Sequence, residues 1–234
     1  MHLPAFHFVC LGLLVFACIQ PTRATPATHT IPGEAALDAE AARAMSATQA
    51  QGLAIAVIDE GKVVHVRSYG ARNAAGNALQ TDTVLYGASL TKAAFAYTVM
   101  QLVGERRLAL DRPIAELLPR PLPDYPDNED YAPWSSLAGD ERWRAITPRI
   151  LLTHSAGFAN FFFLEPDEKL HFHFDPGSRY AYSGDGMILL QFAIEQGLGL
   201  DLGAEMQRRV FDRFDMRRTS MTWRADFAGN LADG

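Results

Sequence analysis

The stretch GASLTKAAFAYTVMQL, residues 87–102, places Ser89 and Lys92 three residues apart at the start of an apolar segment with helical spacing. Residues at i and i+3 lie on the same face of a helix, so the hydroxyl and the amine are predicted to be neighbours. Lys92 is one of only three lysines, and alanine and phenylalanine follow it. A lysine in apolar surroundings can accept the hydroxyl proton of Ser89 as the neutral amine, or it can hold a neighbouring base in its ionised form. The stretch therefore predicts a helix that carries an activated serine.

The same two residues have a simpler interpretation. Ser89 could be the N-cap of the helix, and Lys92 could extend its ammonium group to water along an apolar surface. Under the catalytic interpretation, the free backbone N–H groups near the helix N-terminus would stabilise an oxyanion. One Ser-x-x-Lys pair does not decide between these interpretations, because such a pair also arises by chance.

Composition excludes some functions. The chain has 234 residues, is 48% hydrophobic, and carries a formal net charge of −6. This is the composition of a globular protein, and no basic stripe is present, so a nucleic-acid partner is not expected.

The N-terminal segment predicts export. An apolar run, Phe6–Cys18, is followed by small residues that suit a cleavage site. We therefore predict a signal peptide over residues 1–24, a domain over residues 25–234, and a periplasmic or secreted protein. A lipoprotein signal is the variant, in which a lipidated Cys18 tethers the protein to a membrane. Both cysteines lie in this segment, so a cleaved chain has no disulfide.

Periodicity predicts one hairpin followed mainly by helices, with Pro-rich loops between them. The hairpin covers residues 53–70 with a Glu-Gly turn. Helices are predicted at residues 34–52, 87–102, 108–119 with Asp111 as N-cap, 146–157, 184–200 and 203–214, and a long loop at 120–146. Two strands alone do not form a stable sheet. We therefore expect an α+β fold whose antiparallel sheet is incomplete in this chain, with its C-terminal strands missing.

Four ordered blocks connect the serine helix to a known family. They are YGASLTKAAFAYTVMQLVGERRLALDRPIAELLP (86–119), ITPRILLTHSAGF (146–158), FDPGSRYAYSGDGMILLQFAIEQGLG (174–199) and RRVFDRFDMRRTSMTW (208–223). Together they resemble the serine β-lactamase-related family of class C β-lactamases, penicillin-binding D,D-peptidases and related esterases. The resemblance covers roughly residues 35–225. It implies a β-lactamase/transpeptidase-like fold, with an antiparallel sheet flanked by helices beside a helical lobe.

The resemblance also implies site residues. Ser89 matches the acylated nucleophile, Lys92 its partner, and Tyr182 of the YSG triplet matches the tyrosine general base. Gly184 stands where the family has a substrate-contacting asparagine, which puts lactam turnover in doubt more than ester hydrolysis. The implied function is a serine hydrolase acting on an ester, amide or lactam carbonyl of a small molecule or peptide, with no cofactor. The alternative is an inactive relative that binds a peptide or cell-wall fragment, and Tyr182 could also be a structural tyrosine.

Aromatic residues could line a substrate pocket. The run FANFFFLEP (158–166) contains Phe158 and Phe161, which we predict to contact substrate, although such runs are more often core packing. The aromatic residues of the 120–146 loop, Tyr131, Trp134 and Trp143, could rim the same cleft or anchor a solvated loop.

Two other motifs compete with the serine helix. HFHFD places His171, His173 and Asp175 on one face of an extended segment, as in zinc hydrolases. THSAG (153–157) nearly matches the serine elbow of α/β-hydrolases, but it lies at a helix end. We interpret His154 and Ser155 as hydrogen-bonding residues at that end.

Overall fold

The computed structural model describes residues 31–233, which form a mixed α/β structure. The α-helices and β-strands of this range are α1 (Glu34–Thr48), β1 (Gly52–Asp59), β2 (Lys62–Gly70), α2 (Thr91–Gly104), α3 (Pro148–Leu152), α4 (Gly184–Leu198) and α5 (Leu202–Met206). A π-helical segment, Gln207–Phe211, continues α5. In this part of the chain no helix is both long and apolar enough to cross a membrane. The predicted signal peptide and Cys18 lie outside the described residues.

The predicted hairpin is confirmed. β1 and β2 pair antiparallel from Gly52↔Gly70 to Asp59↔Lys62, and within residues 31–233 they are the two strands of the sheet. Glu60 and Gly61 both have positive φ, 45° and 75°, which suits the tight turn that joins twisted strands. The carboxylate of Asp38 in α1 accepts hydrogen bonds from Arg67 and Tyr69 of β2 at 2.9 and 2.8 Å, so α1 is fastened to the hairpin.

The helical lobe has a core built around α4. The ring of Phe192 contacts three aromatic side chains of the preceding loop, with centroid distances of 4.8 Å to Tyr125, 5.0 Å to Tyr131 and 5.4 Å to Trp134. Trp134 and Trp143 are 1% and 2% exposed. The two tryptophans therefore anchor the loop in the core, which agrees with the second of the two interpretations of these aromatics and not with a place on the cleft rim.

The segment 108–119 does not form the predicted helix. Only Ile114–Glu116 makes a short 3₁₀ turn, because Pro113 is extended with ψ 138° and starts no α-helical turn. Asp111 caps no helix; its carboxylate accepts hydrogen bonds from the Arg149 guanidinium at 2.6 and 2.8 Å. The loop at 120–146 likewise contains short 3₁₀ turns, at Leu122–Asp124, Trp134–Leu137 and Glu141–Ala145.

Two glycines near helix ends test the packing. A Cβ at Gly197 in α4 would lie 2.3 Å from Leu117 Cγ and 2.6 Å from Leu117 O, whereas a Cβ at Gly104 in α2 meets nothing within 4 Å. We expect Gly197→Ala to lower the free energy of unfolding by about 1–3 kcal/mol through overpacking. Gly104→Ala should raise it by up to about 1 kcal/mol, because alanine is the better helix former. Urea denaturation measures the free energy of unfolding of both variants. A Gly197→Ala variant that is at least as stable as the parent would contradict the contact with Leu117.

Candidate active site

Ser89 and Lys92 lie side by side at the entrance to α2. A 3₁₀ turn, Ala88–Leu90, leads directly into the helix, and Lys92 Nζ donates to Ser89 Oγ at 3.2 Å. The N-cap position of α2 is Leu90, and no side chain caps it, so the N-cap interpretation of Ser89 is wrong. Ala88 has a φ of 42°, a left-handed conformation that costs about 1–2 kcal/mol for a residue with a Cβ. The backbone is therefore strained immediately before the serine.

Tyr182 completes the group. Its phenol donates to Ser89 Oγ at 2.8 Å across 93 positions of sequence, and Lys92 Nζ lies 5.1 Å from its ring centroid. The three side chains implied by the resemblance therefore meet. The serine oxygen has both a cationic and a phenolic neighbour, as a nucleophile with a proton acceptor requires.

Two loop segments that run beside each other hold Tyr182 in place. Residues 154–160 accept backbone hydrogen bonds from residues 173–185 at His154 O, Ser155 O, Gly157 O and Asn160 O. The two backbones approach so closely that a Cβ at Gly157 would lie 2.3 Å from the carbonyl oxygen of Phe174. With its φ of 97°, this position requires glycine. The loop pairing thereby fixes the chain on both sides of Tyr182.

His154 supports the tyrosine ring. The two rings stack with centroids 4.4 Å apart at 29°, and His154 Nδ1 accepts a hydrogen bond from the Ser183 N–H at 3.2 Å. Burial lowers the pKa of His154, the backbone of Ser183 opposes this, and the nearby Lys92 charge lowers the pKa further; the net shift favours the neutral imidazole. We predicted only a hydrogen-bonding role for His154. The stacking had no local sequence signal, because the partners are 28 positions apart.

The charge of Lys92 acts on Tyr182. Hydrogen bonding with Lys92 lowers the pKa of Tyr182 most, followed by the hydrogen bond with Ser89; burial opposes them, and the Lys92 charge adds a smaller lowering. An opposite charge favours the ionised form of a phenol, so the phenolate is reached at a lower pH than in a free tyrosine.

The predicted substrate-contacting residues separate into two groups. Phe161 and Gly184 line a cavity of about 620 Å³ together with Ser89 and Lys92. Phe158 does not: it is 1% exposed and packs in the core, with its ring 4.7 Å from that of Phe172. The expectation that Phe158 contacts substrate is therefore corrected, because the aromatic run turns Phe158 inward.

The two competing motifs are not assembled as sites. His171 Nε2 contacts the carboxylate of Asp167 at 3.0 Å, His173 Nε2 contacts Glu165 at 2.6 Å, and Asp175 lies 3.4 Å from Arg142. Each predicted zinc ligand thus has its own partner. Nowhere in residues 31–233 do three or more His, Cys, Asp or Glu side chains converge as metal ligands. Ser155 Oγ donates to the Ile150 carbonyl at 3.1 Å, as expected for a helix-end residue.

Comparison with known proteins decides the family. The profile described as Beta-lactamase matches residues 37–234. The chain belongs to the beta-lactamase family. The resemblance seen in the four sequence blocks is thereby confirmed.

The solved structures that share this fold include a penicillin-binding protein homologue from Pyrococcus abyssi (TM-score 0.65, 22% identity, covering 86% of this chain and 47% of that one). Another is D-alanine carboxypeptidase AmpC from Burkholderia cenocepacia (TM-score 0.66, 20% identity, covering 85% of this chain and 52% of that one).

Two curated relatives are more similar in sequence. Lovastatin esterase of Penicillium rubens is 29% identical over 160 residues, covering 57% of this chain and 38% of the esterase. A Dichelobacter nodosus protein named for fimbrial assembly, FimD of serogroup D, is 32% identical over 128 residues, covering 48% of this chain and 29% of FimD. The chain thus spans about a third of the length of these relatives and about half of the matched structures. Family membership supports a hydrolase of the serine type.

The coupling between Lys92 and Tyr182 can be measured directly. Lys92→Met removes the cation, so the pKa of Tyr182 should rise toward that of free tyrosine. Ultraviolet absorbance of the phenolate against pH reports this, and the trace of Tyr182→Phe isolates this residue from the other six tyrosines. Lys169→Met, outside the site, is the matched control and should leave the titration unchanged. An unshifted Tyr182 in Lys92→Met would rule out the coupling.

A second prediction concerns Asp185 in the first turn of α4. Asp185 is 1% exposed, and its carboxylate accepts a hydrogen bond from Phe162 N–H at 2.6 Å. Burial raises its pKa from 3.8 to about 6. Between pH 3.8 and about 6, the Asp185 carboxyl is therefore mostly protonated in the folded protein and mostly ionised in the unfolded chain. The contribution of Asp185 to stability is greatest below the unfolded pKa and falls as the pH rises through about 6.

Asp185→Asn should remove this pH dependence while keeping an acceptor for Phe162. The free energy of unfolding of the variant relative to the parent should rise by about 1 kcal/mol between about pH 5 and pH 8. Asp111→Asn is the control, because its partner Arg149 lowers the pKa of Asp111 and both folded and unfolded forms are ionised across this range. Urea unfolding at the two pH values measures the change; equal shifts in the two variants would contradict a buried neutral Asp185.

Proposed function

We propose that the protein is a serine hydrolase that forms an acyl-enzyme at Ser89 on an ester, amide or lactam carbonyl. The observation that carries the proposal is the position of Ser89 Oγ, within hydrogen-bonding distance of Lys92 Nζ at 3.2 Å and of the Tyr182 phenol at 2.8 Å. The lowered pKa of Tyr182 supports its role as a base. The site opens into a cavity large enough for a small molecule.

In the proposed acylation, the Tyr182 phenolate takes the Ser89 hydroxyl proton as the serine oxygen attacks the carbonyl carbon. Lys92 stabilises the phenolate, and the N–H of Ser89 at the start of the helix stabilises the oxyanion. The bond to the leaving group then breaks, and the leaving group takes the proton from Tyr182. In deacylation, water gives its proton to Tyr182 and attacks the acyl carbon. Ser89 leaves and recovers that proton, so the net reaction is hydrolysis.

The proposal places this reaction outside the cytoplasm, in the periplasm or the medium. The apolar run Phe6–Cys18 and the small residues after it support export, with cleavage near residue 24 or lipidation of Cys18. The intact mass of the mature protein tests this. A mass that includes residues 1–24 without lipid would contradict it.

An activated-ester assay on the protein expressed from its complete coding sequence tests the chemistry. Ser89→Ala should lower kcat/KM by about 1,000-fold or more, because the nucleophile is lost. Ser155→Ala is the matched control and should stay within a few-fold of the parent, since the Ser155 hydroxyl contacts Thr153 and Ile150 at the end of α3 and the substitution keeps the backbone carbonyl that Gly177 bonds. Mass spectrometry should detect an acyl adduct on the Ser89 peptide in the parent alone.

The second candidate function is an inactive relative that binds a peptide or cell-wall fragment. Its support is Gly184, which offers no side chain for substrate recognition. Equal ester hydrolysis by the parent and Ser89→Ala, without an adduct, would favour this candidate.

A further inference from the structure

The substrate cavity extends well beyond the nucleophile along one face of α4. Gly184, Ile188, Gln191 and Glu195 all line it, at spacings of three or four residues. Gly184 and Glu195 are eleven positions apart, which corresponds to about 16 Å of helix. The cavity is therefore an elongated channel that starts at Ser89.

The channel walls are mainly apolar. Its apolar lining residues from three helices and the C-terminal segment are Phe95, Met187, Ile188, Leu202, Met206 and Met221. Methionine side chains are flexible and polarisable, so they adapt to apolar ligands of variable shape.

The polar side chains farther along the channel already have partners. Gln191 Nε2 donates to Glu195 at 3.1 Å, and the same carboxylate accepts a hydrogen bond from the phenol of Tyr131. Asp201 accepts from the N–H of Ala204 at 2.9 Å. A ligand that needs several hydrogen bonds, such as a peptide, would have to displace these contacts at a cost.

An aromatic ring forms the wall beside the nucleophile. A Cβ at Gly184 would lie 2.3 Å from Phe161 Cε1 and 2.6 Å from its Cζ, so Phe161 fills the space that any side chain at 184 would need. Phe161 is held there by stacking on Phe163, with centroids 5.0 Å apart at 10°. The bond from Phe162 N–H to Asp185 fixes the same turn. The channel therefore offers no amide-recognising side chain at this position.

We infer that the substrate is a carboxylic ester whose acyl part is a flexible apolar chain, which lies in the channel along α4. This inference rests on the proposed function, because it assumes that Ser89 is acylated. Phe161 and the channel residues, Ile188 in particular, determine the specificity. The apolar acyl chain gains affinity by leaving water, whereas a D-amino-acid peptide or a lactam side chain lying along α4 would have to displace the hydrogen bonds of Gln191 and Glu195.

The test compares p-nitrophenyl acetate, butyrate, octanoate and laurate with the protein expressed from its complete coding sequence. We expect kcat/KM to rise by about 100-fold from acetate to octanoate, because each buried methylene adds binding energy. A D-alanyl-D-alanine peptide and a penicillin should be turned over more slowly than octanoate. A flat ester series, or a faster peptide or penicillin, would overturn the apolar-acyl proposal.

Variants locate the acyl chain. Ile188→Trp narrows the channel one turn beyond Gly184 and should lower the octanoate-to-acetate ratio of kcat/KM by about 10-fold or more. Met221→Trp is the second channel variant, on the surface, and should lower the ratio in the same direction. Met100→Trp is its matched control: Met221 and Met100 are 43% and 46% exposed, but Met100 does not line the channel. Unchanged ratios in both channel variants would overturn the proposal.

These experiments distinguish failure of the apolar-acyl proposal from failure of the serine-hydrolase proposal. Ser89-dependent acetate hydrolysis with no preference for octanoate removes the apolar-acyl proposal and keeps the serine hydrolase. Absence of any hydrolysis that depends on Ser89 removes both.

Discussion

The site depends on the backbone pairing between residues 154–160 and 173–185. This pairing fixes the backbone on both sides of Tyr182. The Tyr182 phenol thereby reaches Ser89, which lies 93 positions earlier in the chain. The pairing in turn requires Gly157, because the carbonyl of Phe174 occupies the place of a side chain there. The contact between Ser89, Lys92 and Tyr182 thus depends on backbone hydrogen bonds in which none of these three side chains takes part. The Tyr182 ring also stacks on His154. The Nδ1 atom of His154 accepts a hydrogen bond from the Ser183 N–H, which belongs to the paired segment 173–185.

Local rules predicted the local part of this arrangement. The spacing of Ser89 and Lys92 places both on one helix face, and the structure has their side chains in contact. The hairpin also followed from its strand composition and its Glu-Gly turn. Tyr182 could be connected to them only through the family resemblance, because no periodicity links positions so far apart. The stacking of His154 had no signal in sequence of either kind.

The failed predictions have physical causes. At 108–119 the helical pattern is real, but Pro113 is extended and Arg149 takes the carboxylate that was expected to cap the helix. Short 3₁₀ turns then bury apolar side chains without an α-helix. In the aromatic run, chemically identical side chains take opposite roles: Phe158 is in the core and Phe161 is in the channel. Composition cannot separate them, because the direction of each ring is set by the loop pairing.

The contact between Phe161 and Gly184 constrains how this protein can evolve. An asparagine at 184 would collide with the ring, and loss of the ring alone would leave an unfilled hole beside the serine. A change from glycine to asparagine at 184 therefore requires a change at Phe161 as well, and either change alone disturbs the packing of the pocket. Positions 161 and 184 are therefore coupled by reciprocal epistasis, although neither change alters Ser89, Lys92 or Tyr182.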